Sequence, residues 1–270
     1  MSSDINQEVV TAQVIRRAAV PLLITWLFIS MSFLIPLINS TVAPYFDLTG
    51  LVSQFAYVLA FTGGKFGAPF VALLMLMILV TRYGIDARRK LTEIVIIIST
   101  SLVLAGGGAA INEHMIKAEF KIPRPNIVWL AEQDTVGSLG MTAQQFYELG
   151  NKQVRREPLL EVLNFQPSPV LMSESVKQHW VEETGYSFPS GHAFSAMFFA
   201  SFFLFLAVSS ISGKRLWWFY LLAPWALMVC YSRTILRVHT PTDITVGGLQ
   251  GLVFGVLAWL IARSLIRRFN

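Results

Sequence analysis

The charged residues of this 270-residue chain are unevenly spread, and long stretches contain no Asp, Glu, Lys or Arg. Six such stretches hold 29, 16, 19, 30, 17 and 19 residues, at positions 18–46, 66–81, 94–112, 184–213, 216–232 and 244–262. A helix needs about 20 apolar residues to cross a bilayer, because lipid offers no partner for unpaired backbone groups. The pattern therefore predicts an all-α integral membrane protein with six transmembrane helices.

The composition excludes several other classes of protein. Only 14% of the residues are charged and 54% are hydrophobic, whereas a soluble domain carries about 25% charged residues. A disordered chain would show the opposite imbalance, and a soluble nucleic-acid binder would carry more charge than this chain does at its net +5. The single cysteine, Cys230, excludes a disulfide framework and a multi-cysteine metal site. The first uncharged stretch, 18–46, is longer than the apolar core of a signal peptide, which holds roughly 7–15 residues. We therefore expect it to be a transmembrane helix that is not cleaved off.

The basic residues that flank the six stretches predict the orientation. With a cytoplasmic N-terminus, the inner segments hold 11 basic and 4 acidic residues, and the outer segments hold 10 basic and 12 acidic residues. Basic residues concentrate on the cytoplasmic side of membrane proteins. We therefore expect a single domain over 1–270, with 1–16 and 263–270 in the cytoplasm and the long connection 114–188 outside.

This long connection between the third and fourth predicted spans is expected to be a partly helical, extracytoplasmic loop domain. Thr142 is a suitable cap for a helix over 143–149, and 157–163 has a second helical pattern. Two arrangements remain open for its apolar side chains, which either rest on the bilayer surface or pack within a small cap. These side chains are Phe146, Leu149, Leu159, Leu160 and Trp180.

Three short motifs carry the chemistry, and the predicted topology brings all of them to the outer face. They are Lys117 with Arg124-Pro125, then Pro189-Ser190-Gly191-His192, then Ser232-Arg233 with His239 and Asp243. Each motif alone has an ordinary explanation. Lys117 and Arg124 can be solvated charges at the membrane edge, Ser190 is a good helix N-cap, and a lone histidine usually has a packing role. Thr240, Pro241 and Asp243 also fit the first turn of the last helix.

Together the motifs predict a site for a phosphate-like anion. Lys117, Arg124 and Arg233 supply fixed positive charge, and guanidinium groups match phosphate oxygens in bidentate fashion. The backbone amides of Ser190, Gly191 and His192 begin a helix, where unsatisfied N–H groups and the helix dipole favour an anion. Gly191 also lets the backbone approach a ligand closely.

The two histidines add reactive groups to this site. His239 and Asp243 are four residues apart, so the carboxylate can reach the imidazole and fix its tautomer. His192 is then available for a second role. Two histidines and one aspartate can also form a metal-binding triad, but the neighbouring cations would repel a divalent ion. We therefore expect no metal and no cofactor.

These residues and spacings resemble the three-part signature of the type 2 phosphatidic acid phosphatase superfamily. The signature runs from Lys117 to Asp243, and the likeness covers about residues 15–265. The stretches 124–130 and 179–192, with the long loop between them, most resemble the bacterial phosphatidylglycerophosphatases of that superfamily. The resemblance therefore implies a membrane protein of a bacterial inner membrane, with its active site facing the periplasm.

The resemblance also implies a mechanism. It is metal-independent hydrolysis through a phosphohistidine, in which His239 is the nucleophile, Asp243 orients it and His192 is the general acid and base. The positions that match the phosphate ligands are Lys117, Arg124, Ser190, Gly191 and Arg233. Arg237 lies at a variable position, where it either adds a phosphate contact or faces lipid headgroups. The implied partners are lipid phosphates within the bilayer, among them phosphatidylglycerophosphate and undecaprenyl pyrophosphate, with no nucleic acid and no obligate protein partner.

Rival functions differ in what they require of these residues. A lipid-phosphate transporter or flippase would also place cations at the interface, but it would not need the His239–Asp243 pair or a second histidine. A catalytically silent receptor would leave the motifs unexplained, and a haloperoxidase of the same superfamily is normally soluble. A lipid phosphotransferase with the same signature would pass the phosphate to an alcohol instead of water.

Overall fold

A computed structural model describes residues 2–35, 48–132, 138–165 and 170–269, with side chains described from residue 12 onward. The described residues are predominantly helical, as the sequence predicts, and their only β feature is an isolated bridge between Leu48 and Met172. The α-helices are α1 (Ser2–Ser30), α2 (Leu51–Gly63), α3 (Gly67–Val80), α4 (Ala87–Ser101), α5 (Gly107–Ile111), α6 (Lys117–Phe120), α7 (Pro125–Ala131), α8 (Ala143–Glu148), α9 (Lys152–Asn164), α10 (Glu174–Glu182), α11 (Gly191–Ser210), α12 (Trp217–Tyr220), α13 (Leu222–Ile235) and α14 (Pro241–Phe269).

Four helical stretches in the described ranges are long and apolar enough to cross a membrane, namely Ala12–Leu34, Ala87–Ala131, Gly191–Ser210 and Pro241–Phe269. A fifth is obtained if α2 and α3, which meet at a bend of 64°, count as one span. The predicted span 216–232 corresponds to the shorter helices α12 and α13. The last part of the predicted span 18–46, from residue 36, lies outside the described residues. Six spans, their orientation and the side on which the loop lies therefore stay predictions.

The second predicted span differs most from the structure. The stretch 66–81 corresponds to α3, and a separate helix, α2, precedes it. A side chain at Gly67 would overlap the carbonyl of Phe61 in the last turn of α2. The two helices therefore meet at very close range, which only glycine permits at this position.

Helix α11 is the centre of the larger hydrophobic core and is almost entirely buried. Helix α14 packs against it through Gly247, Gly251 and Gly255, which recur every four residues. A Cβ at Gly251 would overlap the carbonyl of Phe194 on α11, and the other two glycines lie equally close to that helix. Small residues at this spacing let helices approach closely, so the start of α14 is held against the start of α11.

The long connection contributes most of a second, smaller core, which also includes side chains from α2 and from the segment after α13. Helices α7 to α10 lie within it, and Phe146, Leu159 and Trp180 are buried against one another and against Leu236. Leu149 is exposed. The burial of three of the five side chains favours the cap arrangement, which stays a prediction. The expected helix after Thr142 is present and begins with a capping box.

Candidate active site

Lys117 is placed by an irregular helix that continues from α4. Two π-helical turns, Leu102–Gly106 and Asn112–Ile116, interrupt this helix, and the second ends immediately before Lys117. Such turns are frequent at functional sites, because they change the direction in which the following side chains point. Lys117 is buried, and its ammonium group lies 3.1 Å from the carboxylate of Glu113.

Arg124 precedes α7, and its buried guanidinium connects three segments of the chain. Its Nε donates to the carbonyl of Gly185 (2.8 Å), and one terminal nitrogen donates to the carbonyl of Val238 (3.0 Å). The same nitrogen lies 3.1 Å from Nε2 of His239. Because arginine has no acceptor, Nε2 of His239 must carry its lone pair toward Arg124.

His239 and Asp243 pair as the sequence predicts. Nδ1 of His239 lies 3.3 Å from the Oδ2 atom of Asp243, and both side chains are buried. The carboxylate accepts a hydrogen bond from Nδ1–H, so Nε2 is the unprotonated ring nitrogen, whose lone pair faces Arg124. Burial, together with Arg124 and Arg233, holds the pKa of His239 well below its ordinary value. A neutral imidazole with its lone pair at Nε2 has the form that a nucleophilic histidine requires.

The same Asp243 oxygen also takes part in the cap at the start of helix α14. The Thr240 amide donates to it (2.8 Å), and the Asp243 amide donates to the Thr240 hydroxyl (3.2 Å). This reciprocal pair is the predicted helix cap. One carboxylate thus fixes both the start of the helix and the orientation of His239.

The start of α11 agrees with the sequence in part. The hydroxyl of Ser190 caps the helix by accepting from the Ala193 amide, but the Ser190 amide donates to the carbonyl of Asp243 (3.0 Å). The expectation that this amide faces an anion is therefore wrong, because the amide already has a partner. At Gly191 a Cβ would meet no atom within 4 Å, so the backbone there borders open space.

Glu183, at the end of α10, occupies the centre of the cationic cluster and was not anticipated from the sequence. Its carboxylate accepts from Arg124 at 2.6 Å and from Arg233 at 3.0 Å. It also lies 3.9 Å from Nδ1 of His192. Burial alone would raise the pKa of Glu183, but Arg124 and Arg233 hold it well below its ordinary value. The carboxylate is thus charged and binds the two arginines as a phosphate would.

His179 is a second unanticipated member of the site. Its Nε2 lies 2.8 Å from a terminal nitrogen of Arg233, so it accepts from the guanidinium. Burial, followed by the charge of Arg233, lowers the pKa of His179 to about 3. The neutral ring contacts one terminal nitrogen of Arg233, and Glu183 accepts from the other.

One cavity of about 670 Å³ brings most of the predicted residues together. Its polar end is lined by Lys117, Arg124, Gly191, His192 and His239, with Glu183 among them. Three predicted residues lie behind this lining. Arg233 contacts Glu183, Asp243 contacts His239, and Ser190 caps the start of α11. Arg237 is half-buried outside the lining.

The rest of the cavity is apolar and runs between α3, α11 and the helix that continues from α4. It is lined there by side chains such as Leu76, Ile97 and Phe203. Leu73 and Leu102 also line it and are 51% and 70% exposed. The apolar end therefore opens at the outer surface of the helices, between α3 and the first π turn.

Metal binding by the two histidines and Asp243 is the alternative considered above. In the described ranges, no group of three His, Cys, Asp or Glu side chains is suitably placed to hold an ion. Nε2 of His239 faces Arg124 instead, and Nδ1 faces Asp243.

Residues 94–267 match the PAP2 superfamily. The chain belongs to this superfamily. Within PAP2, it is 36% identical over 151 residues to phosphatidylglycerophosphatase B of Haemophilus influenzae, a match that covers 54% of each chain. It is 30% identical over 181 residues to the protein of the same name from Escherichia coli K12, covering 65% of this chain and 64% of that relative. The matched part thus spans between about half and two thirds of these curated relatives.

Proposed function

We propose that this PAP2 protein is a membrane lipid phosphatase, which hydrolyses phosphate monoesters or pyrophosphates of lipids. The observation that carries the proposal is the shape of the cavity, in which a cationic end with two histidines continues into an apolar end that opens between helices. A lipid phosphate has the same division into an anionic headgroup and apolar chains. Its headgroup can reach His239 while its chains stay in the membrane.

The reaction proceeds in two steps through a phosphohistidine. Nε2 of His239 attacks phosphorus, the bond from phosphorus to the leaving oxygen breaks, and His192 donates a proton to that oxygen. A water molecule then attacks the phosphohistidine while His192 accepts its proton, which releases inorganic phosphate and restores His239. Asp243 keeps the Nδ1 proton in place and stabilises the positive ring during the first step.

Arg124, Arg233 and Lys117 stabilise the charge on the phosphoryl oxygens, which is the main task in phosphoryl transfer. This set of cations supports a metal-independent reaction, because side chains supply the charge that a divalent ion would otherwise supply. Before the phosphate binds, Glu183 holds both arginines, so the substrate must displace this carboxylate. Gly191 leaves room for the phosphate beside the start of α11.

The proposed substrates are phosphatidylglycerophosphate and undecaprenyl pyrophosphate, and the names of the matched relatives support the first. The proposed location is the bacterial inner membrane, with both termini in the cytoplasm and the cavity on the periplasmic side. The unequal distribution of basic residues along the chain supports this orientation.

Phosphate release by purified, reconstituted protein in the presence of EDTA tests the function. The panel comprises phosphatidylglycerophosphate, phosphatidic acid, diacylglycerol pyrophosphate and undecaprenyl pyrophosphate. We expect release from at least one of them, and its loss in His239→Ala. The matched control is His114→Ala, which removes an exposed histidine. A transporter would release no phosphate from any lipid, and a phosphotransferase would need an added alcohol acceptor.

A further inference from the structure

The cavity contains a second pair of cations bridged by a carboxylate. Glu113 lies 3.1 Å from the ammonium group of Lys117 through one oxygen and hydrogen bonds to Lys152 through the other. Lys152 comes from the start of α9, in the cap, and lies outside the three sequence motifs. All three side chains line the same cavity as Arg124 and His239.

The position of Lys152 is fixed relative to the reactive end of the cavity. The Thr184 hydroxyl donates to the Lys152 carbonyl at 2.8 Å. A Cβ on Gly185 would lie 2.6 Å from Cε of Lys152, so the lysine stem runs directly over that glycine. The carbonyl of Gly185 in turn accepts from Nε of Arg124. One short segment, 184–185, therefore holds both the lysine and the arginine that contacts His239.

The two bridged pairs have the same construction. Glu183 joins Arg124 to Arg233, and Glu113 joins Lys117 to Lys152. In each pair a carboxylate accepts from two cations on separate segments, as the oxygens of a phosphate group can. A lipid with one phosphate needs only the arginine pair and Lys117. Lys152 then remains for a second anionic group beside the first.

We propose that Lys152, with Lys117, forms a second anion subsite, which binds the non-scissile phosphate of lipids that carry two phosphate groups. This phosphate is joined to the scissile one directly in a lipid diphosphate, or through a glycerol unit in phosphatidylglycerophosphate. The incoming phosphate replaces Glu113 as the partner of Lys152. The inference rests on the proposed function and assigns Lys152 to the choice of substrate, not to the chemical step.

The test compares kcat/KM of wild type and Lys152→Ala on phosphatidic acid, diacylglycerol pyrophosphate and phosphatidylglycerophosphate, in detergent with EDTA. Lys152 is 48% exposed, so its contact with phosphate is partly screened by water, and we expect about a tenfold loss on substrates with two phosphates. Phosphatidic acid should change by less than about twofold. A loss confined to the diphosphate, or to phosphatidylglycerophosphate, supports the subsite and identifies which linkage it accepts.

Two further variants separate this role from a general effect on the cap. Lys152→Arg keeps the charge and should retain the preference for two phosphates. Lys177→Ala removes another ion-paired cap lysine, outside the cavity lining, and should leave all three rates unchanged. Equal losses on all three lipids in Lys152→Ala, or no loss on any, would overturn the subsite while leaving the proposed function intact. A wild-type protein that releases phosphate from none of the lipids overturns both.

Discussion

Replacing Glu183 by glutamine should make the protein bind phosphate-like anions more tightly. The carboxylate accepts from Arg124 at 2.6 Å and from Arg233 at 3.0 Å, and an incoming phosphate must break both contacts. Glutamine has nearly the same shape but no charge, so it competes less strongly for the two guanidinium groups. The substitution therefore removes an internal competitor without removing a phosphate ligand.

The expected size follows from these two contacts. Hydrogen bonds to a charged group contribute about 1.5–3 kcal/mol, and those between neutral groups about 0.5–1.5 kcal/mol. The carboxylate accepts from the two arginines through different oxygens, whereas the amide has only one acceptor oxygen. The substitution therefore removes one of the two charge-assisted contacts, or about 2 kcal/mol. An oxyanion that displaces the side chain gains about 2 kcal/mol in total, which corresponds to roughly 30-fold tighter binding.

Inhibition of phosphate release by orthovanadate measures this effect. In Glu183→Gln the inhibition constant should fall by about one order of magnitude or more. Inorganic phosphate should also raise the melting temperature more in the variant than in wild type. Glu182→Gln, at the exposed neighbouring position, is the control. Unchanged or weaker vanadate inhibition would refute the idea that Glu183 competes with phosphate.

Three other substitutions test separate parts of the structure. Asp243→Asn should lower kcat by about 10²–10⁴, because the amide no longer fixes the tautomer of His239; near-normal kcat would contradict the orienting role. His179→Gln should weaken the dependence of stability on pH. The pKa of His179 is about 3 in the folded protein and about 6.5 when unfolded, so wild type loses stability as the pH falls below 6.5. Between pH 6.5 and 5 this amounts to about 2 kcal/mol, and equal losses in thermal melts of variant and wild type would argue against it. Gly251→Ala should lower the melting temperature by forcing α14 away from the Phe194 carbonyl, at a cost of about 1–3 kcal/mol, and an unchanged melting temperature would show that the contact can relax.

Features that depend on neighbouring residues could be predicted from the sequence. The helix caps at Thr142, Ser190 and Thr240 involve residues three positions apart, so each is visible in a short stretch of sequence. The His239–Asp243 pair has the same local character. The recurrence of Gly247, Gly251 and Gly255 every four residues is also visible in the sequence and favours a close helix contact, but it does not identify α11 as the partner.

Features that depend on distant residues could not be predicted. Glu183 is 59 residues from Arg124 and 50 from Arg233, and no short pattern indicates that one carboxylate holds both. The glutamate adjoins the second motif, which is the only signal that the sequence offers. Residues 48–64 form a seventh uncharged stretch, and α2 lies within it. The bend between α2 and α3 has no local signal, because it depends on the close contact at Gly67.

One Asp243 oxygen contacts both the His239 ring and the Thr240 amide. Hydrogen exchange at that amide therefore indicates whether His239 is correctly aligned. That amide donates to the same oxygen that faces the imidazole, so fraying of the first turn of α14 and misorientation of the ring would occur in the same opening event. Slow hydrogen exchange at this one amide would therefore indicate a correctly aligned histidine in a protein that is not turning over. The same coupling constrains evolution, since a change that alters the start of this helix also alters His239, the proposed nucleophile.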